Sequence, residues 1–204
     1  GLYYVQQEKK RLYFRKSTPP KKIQKYYRAL SMEQDKRSPH HYFDSVKDVT
    51  GKVFVDIGCA EGYSSLEIVE EAKHIYLFEQ DEQWLEAIRA TFEPWQDKVT
   101  IIQKYVSDHN SSREQTLDDF FNNQTDEHLF LKMDIEGAER HALTGCKNLF
   151  QNCQKLDFAI CTYHLRDDEE VISTFLNKHN CAYINQKGFF RHRIRSVVMR
   201  GSKK

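Results

Sequence analysis

Apolar residues recur along this chain with two alternating periods. Short runs at 53–57, 75–78, 99–103, 129–133 and 157–161 are rich in β-branched and large apolar residues and predict strands. Between them the spacing turns helical. Leu66, Ile68, Val69 and Ala72 share a face of 63–72, and Trp84, Leu85 and Ile88 one of a helix that starts at Asp81 or Gln80, runs to Phe92 and is stopped by Pro94. Thr116 caps a short helix at 116–121, a further helix starts at Glu136 and runs to about 150, and 168–179 turns Val171, Ile172, Phe175 and Leu176 inward. A weak strand at 182–184 and a last one at 193–200 predict an edge pair. Strand–helix–strand repetition of this kind belongs to a right-handed parallel sheet whose ligand lies outside the carboxyl ends of the strands.

Before the first of these strands the pattern is different. Residues 2–16 alternate loosely and predict a hairpin turning at 7–9, with Tyr3, Val5, Leu12 and Phe14 as buried positions. Pro19-Pro20 interrupts, and 21–32 predicts a helix whose Ile23, Tyr26, Tyr27 and Leu30 pack over the sheet. Residues 33–43, EQDKRSPHHYF, form a polar loop placed to fold over a ligand, with His40 or His41 able to orient a substrate. The expected division is an N-terminal extension, 1–45, and one α/β domain, 46–204.

The junction of the first strand and helix carries the chemistry. Asp56-x-Gly58-x-x-x-Gly62 lacks the extra glycines of a dinucleotide fingerprint, having Ala60 and Tyr63 where they would stand. Glu79, at the end of the second strand, is placed to accept both hydroxyls of a ribose, with Gln80 beside it. Asp56 and the turn residues Gly58, Cys59, Ala60, Glu61 and Gly62 suit an amino group and a carboxylate. A nucleoside joined to an amino acid fits better than a nucleotide. Val106, Ser107 and Asp108, after the third strand, are candidates for an adenine. Asp134 emerges from the fourth strand, with Glu136 where a helix dipole favours a carboxylate and His164 at the mouth of the fifth. His164, Asp134 and Glu136 are the candidate proton acceptors. No tight ligand spacing is present, and no metal is expected.

Composition narrows the picture in two places. With 204 residues, 39% hydrophobic and 30% charged, the chain has material for one core, and no apolar run approaches the roughly 18 residues of a membrane span. Five cysteines at 59, 146, 153, 161 and 181 suit neither a disulfide framework nor a zinc site, and with no secretory signal the expectation is a cytoplasmic protein with reduced thiols. The net charge of +1 hides an asymmetry. Residues 1–28 hold nine Lys/Arg and one acid and 187–204 hold seven and none, which leaves about −14 for 29–186 by difference. Basic ends suit an anionic partner such as a charged glycan, a lipid headgroup or RNA, and equally two solvated termini.

The glycine turn with its ribose acid resembles motif I of class I S-adenosylmethionine-dependent methyltransferases. More narrowly, DIGCAEG, YLFEQD, TLDDF, FLKMDIEGAERHALTG and CTYHLRDDE resemble the FkbM family, whose K-x-D-x-E-G-x-E segment is here Lys132, Asp134, Glu136, Gly137 and Glu139. That resemblance, over about 53–180, implies a Rossmann-like, mostly parallel sheet of seven strands with helices on both faces and the last strand antiparallel. It also implies S-adenosylmethionine as cofactor, S-adenosylhomocysteine as product, and O-methylation of a saccharide or natural-product hydroxyl. Glu61 stands where family members commonly carry Asn. Two other readings are an RNA methyltransferase using the basic ends, which lacks a base-flipping motif such as NPPY, and a nucleoside-binding module without catalysis.

Overall fold

The computed structural model describes residues 1–122, 125–190 and 192–203, with no side-chain detail at Phe190. A seven-stranded sheet runs β10-β11-β9-β8-β3-β4-β5, built from β3 (Val53–Ile57), β4 (His74–Phe78), β5 (Val99–Ile102), β8 (Leu129–Met133), β9 (Leu156–Cys161), β10 (Cys181–Phe190) and β11 (Arg193–Lys203). β5, β4, β3, β8 and β9 are parallel to one another, and β11 alone runs against its neighbours. This is the Rossmann-like arrangement expected from the sequence. β10 and β11 form the expected edge pair: β11 inserts between β9 and β10, so its Val197, Val198 and Met199 are buried and β10 takes the exposed flank.

Alternation along the strands feeds two cores. Phe54, Ile75, Leu77, Phe130 and Ala159 face α2 (Tyr63–Glu67) and α3 (Glu82–Phe92). Val53, Val55, Ile57, Leu131, Met133 and Ile160 face α4 (Leu117–Phe120), α5 (Glu139–Thr144), α6 (Lys147–Asn152) and α7 (Asp168–Lys178). β3 and β8 are buried at all five positions, as parallel strands covered on both faces are. All five cysteines are buried and free. Among the described residues no helix is long and apolar enough to cross a membrane.

The N-terminal extension is part of the first core. β1 (Tyr4–Gln7) and β2 (Lys10–Tyr13) form the expected hairpin, and Leu12, Phe14, Tyr42 and Phe43 join the cluster around Phe54. Tyr3, expected inside, is exposed, and Val5 is half-buried. α1 (Pro20–Glu33) buries only Ile23 in this core. Tyr26 and Leu30, read as packing on the sheet, instead face a cavity described below.

The helix expected from Glu136 to about 150 is two helices, α5 and α6, which break at Gly145-Cys146. Gly145, at the break, makes a close approach. A Cβ on Gly145 would collide with the backbone carbonyl of Ser107, so the chain there must be glycine for the loop after β5 to lie against it. Gly145→Ala is expected to destabilise the fold by about 1–3 kcal/mol, the usual cost of overpacking. Thermal unfolding followed by circular dichroism checks it, and an unchanged midpoint would contradict the contact.

Candidate active site

The carboxyl ends of β3, β4, β5 and β8 open into a cavity of about 840 Å³, at the point where the strand order departs in both directions from β3. Asp56, Gly58, Cys59, Ala60, Glu61, Glu79, Gln80, Val106, Ser107, Asp108, Asp134 and Glu136 all line it; Gly62 and His164 do not. The cavity wall also includes residues that sequence reasoning did not assign to the site: Tyr26 and Glu33 from α1, and Tyr42 and Tyr163. His40 of the polar loop joins them.

The turn after β3 is held by a buried ion pair. Asp56 and Lys132 are register partners on β3 and β8, both almost wholly buried, with Nζ 2.8 Å from Oδ1 and donating to the Gly58 carbonyl at 2.7 Å. Burial works to lower the Lys132 pKa, but the carboxylates of Asp56 and Asp134 outweigh it and hold the ammonium above its ordinary value. Asp56 also accepts from the Ser65 hydroxyl at 2.6 Å, so its carboxylate, expected to meet a ligand's amino group, is engaged inside the protein. Gly58 has φ +78° and Gly62 φ +81°. A Cβ on Gly58 would strike the backbone carbonyl of Asp134, and one on Gly62 would sit 2.7 Å from the Phe92 ring. Both glycines are therefore demanded by conformation and by packing.

Two acids near this turn differ in their commitments. Glu79 accepts from the amides of Ala60 (3.0 Å) and Asp81 (2.8 Å), which fixes the carboxylate at the end of β4. Glu61 is buried, and its Oε2 has no hydrogen-bond partner. Desolvation pushes its pKa up to about 7, against the pull of hydrogen bonds and of Lys132. On the far side, Asp108 is held by His109 (2.8 Å) and His141 (3.0 Å), and Val106 is buried beneath it.

Asp134 is the centre of the other end. The Tyr42 hydroxyl donates to Oδ2 at 2.6 Å and that of Tyr163 to Oδ1 at 3.2 Å. Burial and nearby acids raise both phenols, so they remain donors at any working pH. Burial alone would raise the Asp134 carboxyl, yet Lys132, His40, Tyr42 and His164 together hold it below its ordinary value, so it is ionised. His40 Nε2 lies 2.9 Å from the Tyr163 hydroxyl, while its buried Nδ1 has no hydrogen-bond partner and faces Glu33 at 3.9 Å. Burial lowers the His40 pKa, which favours the neutral ring.

His164 stands behind Asp134, with Nε2 3.5 Å from Asp134 and Nδ1 2.9 Å from Glu139. Burial would lower its pKa, but Glu139 and then Asp134 raise it. Glu139 is fully buried, and its carboxylate accepts from the amides of Ile135 (2.8 Å) and Gly137 (3.1 Å). It therefore fixes the turn that carries Asp134. Glu136, expected at a helix start, is in this turn instead, at φ +56° and with its side chain 92% exposed, because α5 begins at Glu139. Among the described residues two groups have metal-like spacing, His40-Asp134-Cys161 and Asp134-Glu139-His164. Hydrogen bonds to Asp134 and Glu139 already occupy most of their carboxylate oxygens.

A mixed seven-stranded sheet in this strand order, with a cavity at its switch point, is a Rossmann-like fold. Residues 96–189 match the family model described as the methyltransferase FkbM domain. Among solved structures it is similar to methyltransferase FkbM from Methylobacillus flagellatus KT, at 18% identity and TM-score 0.59 over 74% of this chain; it spans 43% of that protein's length. It is similar to SMU.1697c of Streptococcus mutans in complex with SAH, at 15% identity and TM-score 0.56, over 78% of this chain and 93% of that one. It is also similar to the M. jannaschii tRNA m1G37 methyltransferase, at 14% identity and TM-score 0.58, over 99% and 56%. At these identities the likeness is one of fold. No curated protein matches the sequence.

Glu61 gives this site a pH signature. Its folded pKa of about 7 lies above the ordinary 4.5, so the fold favours the protonated form, and stability falls as pH rises from about 4.5 through 7. Glu61→Gln should therefore stabilise the ligand-free protein by up to about 3 kcal/mol at pH 8 and by nothing at pH 4. Urea unfolding at the two pH values tests it. Equal gains at both would refute the assignment.

Proposed function

We propose that this chain is an S-adenosylmethionine-dependent methyltransferase that methylates a hydroxyl of a saccharide or natural-product acceptor. The observation that carries this reading is the charge of the cavity. Nine carboxylates line it against three cations, Arg15, Lys104 and Lys132, and one of the nine, Glu61, is buried with an unpartnered oxygen. Such a cavity favours a ligand that is itself cationic and brings an ammonium. The solved relative with SAH bound is consistent with that choice.

Bound here, the cofactor would supply a methyl group on a cationic sulfur with a neutral thioether as leaving group. Glu79 is fixed to accept two ribose hydroxyls, Glu61 to meet the ammonium, and Val106, Ser107 and Asp108 to enclose the adenine. Gly58, Cys59, Ala60 and Glu61, with Gln80, form the adjoining wall, where the amides of Gly58 and Cys59 donate to the Phe78 carbonyl and that of Ala60 to Glu79. Asp134 faces the acceptor side. Alignment supplies most of the rate of an in-line displacement, and the remaining task is the hydroxyl proton. His40 suits it best: burial favours its neutral ring, the residue lines the cavity, and its buried Nδ1, beside Glu33, has no hydrogen-bond partner. Asp134 orients His40 through Tyr163, and His164, with Glu136 3.5 Å from its Nε2, stands behind Asp134.

Isothermal titration should show SAH binding to the wild type and at least tenfold weaker binding to Glu79→Ala. His40→Gln should leave that affinity unchanged while slowing transfer of labelled methyl to a glycan pool by about 10²–10⁴-fold. A folded wild type that binds no SAH would refute the proposal.

A further inference from the structure

Of the two groups with metal-like spacing, one has the chemistry of a cation site. In the group of His40, Asp134 and Cys161, burial keeps the thiol protonated and the Tyr42 hydroxyl already donates to Asp134 Oδ2. The group around His164 is different. Its side chain is 7% exposed, and neither ring nitrogen has a hydrogen-bond partner. Nδ1 lies 2.9 Å from the buried carboxylate of Glu139, which directs the ring proton there and leaves the Nε2 lone pair facing Asp134 Oδ1 and Glu136 Oε2, each at 3.5 Å.

Three acceptor atoms therefore converge with no donor between them, an arrangement that a cation resolves. Asp134 Oδ1 receives the Tyr163 hydroxyl at 3.2 Å, and a carboxylate oxygen can accept a second bond. Among the described residues no lysine or arginine reaches ion-pair distance of Asp134, Glu136 or Glu139, and Lys132, which does most to hold Asp134 ionised, is itself committed to Asp56 and Gly58. Two donors on one divalent cation, each at about 2.1 Å, stand about 3–3.5 Å apart, close to the separations here. A carboxylate behind the imidazole is also what orients metal-bound histidines. Glu139 takes the amides of Ile135 and Gly137 as well, so one buried group sets both the ring and the turn that carries Glu136.

We infer that His164 Nε2, Asp134 Oδ1 and Glu136 Oε2 hold a hard divalent cation, Mg²⁺ or Mn²⁺, at the Asp134 end of the cavity. Two carboxylates with one imidazole suit such ions, and the exposed Glu136 is the ligand that admits them from solvent. Positions 134, 136 and 164 are too loosely spaced to mark a site in the sequence, and only the fold brings them together. Asp134 and Glu136 line the cavity, so the ion's remaining positions are open to water or to oxygen atoms of an acceptor. The site stands on its own geometry, while its role rests on the methyltransferase reading. An acceptor hydroxyl held there becomes more acidic, so that its proton passes to His40 as its oxygen takes the methyl group and the sulfur leaves as a neutral thioether.

Electron paramagnetic resonance of Mn²⁺ added to the chelator-treated full chain reads the site directly, since bound and free ion give different signals, with an SAH titration run in parallel. The wild type should bind a single Mn²⁺ with a Kd below about 1 mM, and Mg²⁺ should compete for it. Glu136→Gln, at a side chain exposed enough to leave folding intact, and His164→Asn should each weaken Mn²⁺ binding by at least about tenfold with SAH affinity unchanged. Wild-type affinity in either variant would overturn the inference and assign the ion to other carboxylates. No Mn²⁺ binding by a wild type that binds SAH would overturn it too, and would leave the methyltransferase reading standing. Mn²⁺ binding lost in both variants, with no SAH binding by the wild type, would support the site and refute the methyltransferase reading instead.

Discussion

One buried ion pair organises this molecule. Lys132 reaches from β8 to Asp56 on β3 and to the carbonyl of Gly58, joining two neighbouring strands and the turn between β3 and α2 through a single ammonium. Neither charge has water to fall back on, and removing one partner of such a pair typically costs about 3–5 kcal/mol. The pair fixes where Gly58 turns. Gly58, packed without a Cβ against the Asp134 carbonyl, in turn fixes where the β8 strand end releases Asp134. The turn after β3 and the Asp134 end of the cavity are therefore one rigid unit.

Around that unit the protein sorts charge by depth. The cavity holds an excess of carboxylates, and Lys132, then His40, the Tyr42 hydroxyl and His164, keep Asp134 ionised among them. Outside, α1 turns its unpaired lysines and arginine away from the cavity that its other face lines. Along α1 one acid, Glu33, and one phenol, Tyr26, face the cavity, while Lys21, Lys25 and Arg28 face outward. The asymmetry visible in the sequence is thus spatial as well as linear, at least at this end of the chain.

The parallel core was legible because its strands are buried on both faces and read as unbroken apolar runs. For the same reason the two charges inside them carried a signal that reading each strand alone misses. Asp56 and Lys132 are each the fourth residue of a five-residue strand, and side-by-side register makes them partners. The break at Gly145 was not legible, since helical periodicity continues across it and only the distant Ser107 carbonyl forbids a side chain. The same holds for α1. Its apolar stripe looks like any core-facing stripe, and nothing local says that Tyr26 and Leu30 face a cavity while Ile23 alone reaches the core. His164 was read from its place at a strand mouth, but its contact with Glu139 draws it behind Asp134, and His40 from a loop far away in sequence takes the cavity wall.

The most direct measurement is a crystal structure of the protein grown with S-adenosylhomocysteine. Both ribose hydroxyls should lie within about 3 Å of the Glu79 carboxylate, the ammonium should sit beside Glu61, and the adenine should rest against Val106. A ligand bound elsewhere on the molecule, or a ribose turned away from Glu79, would contradict the cavity's assignment.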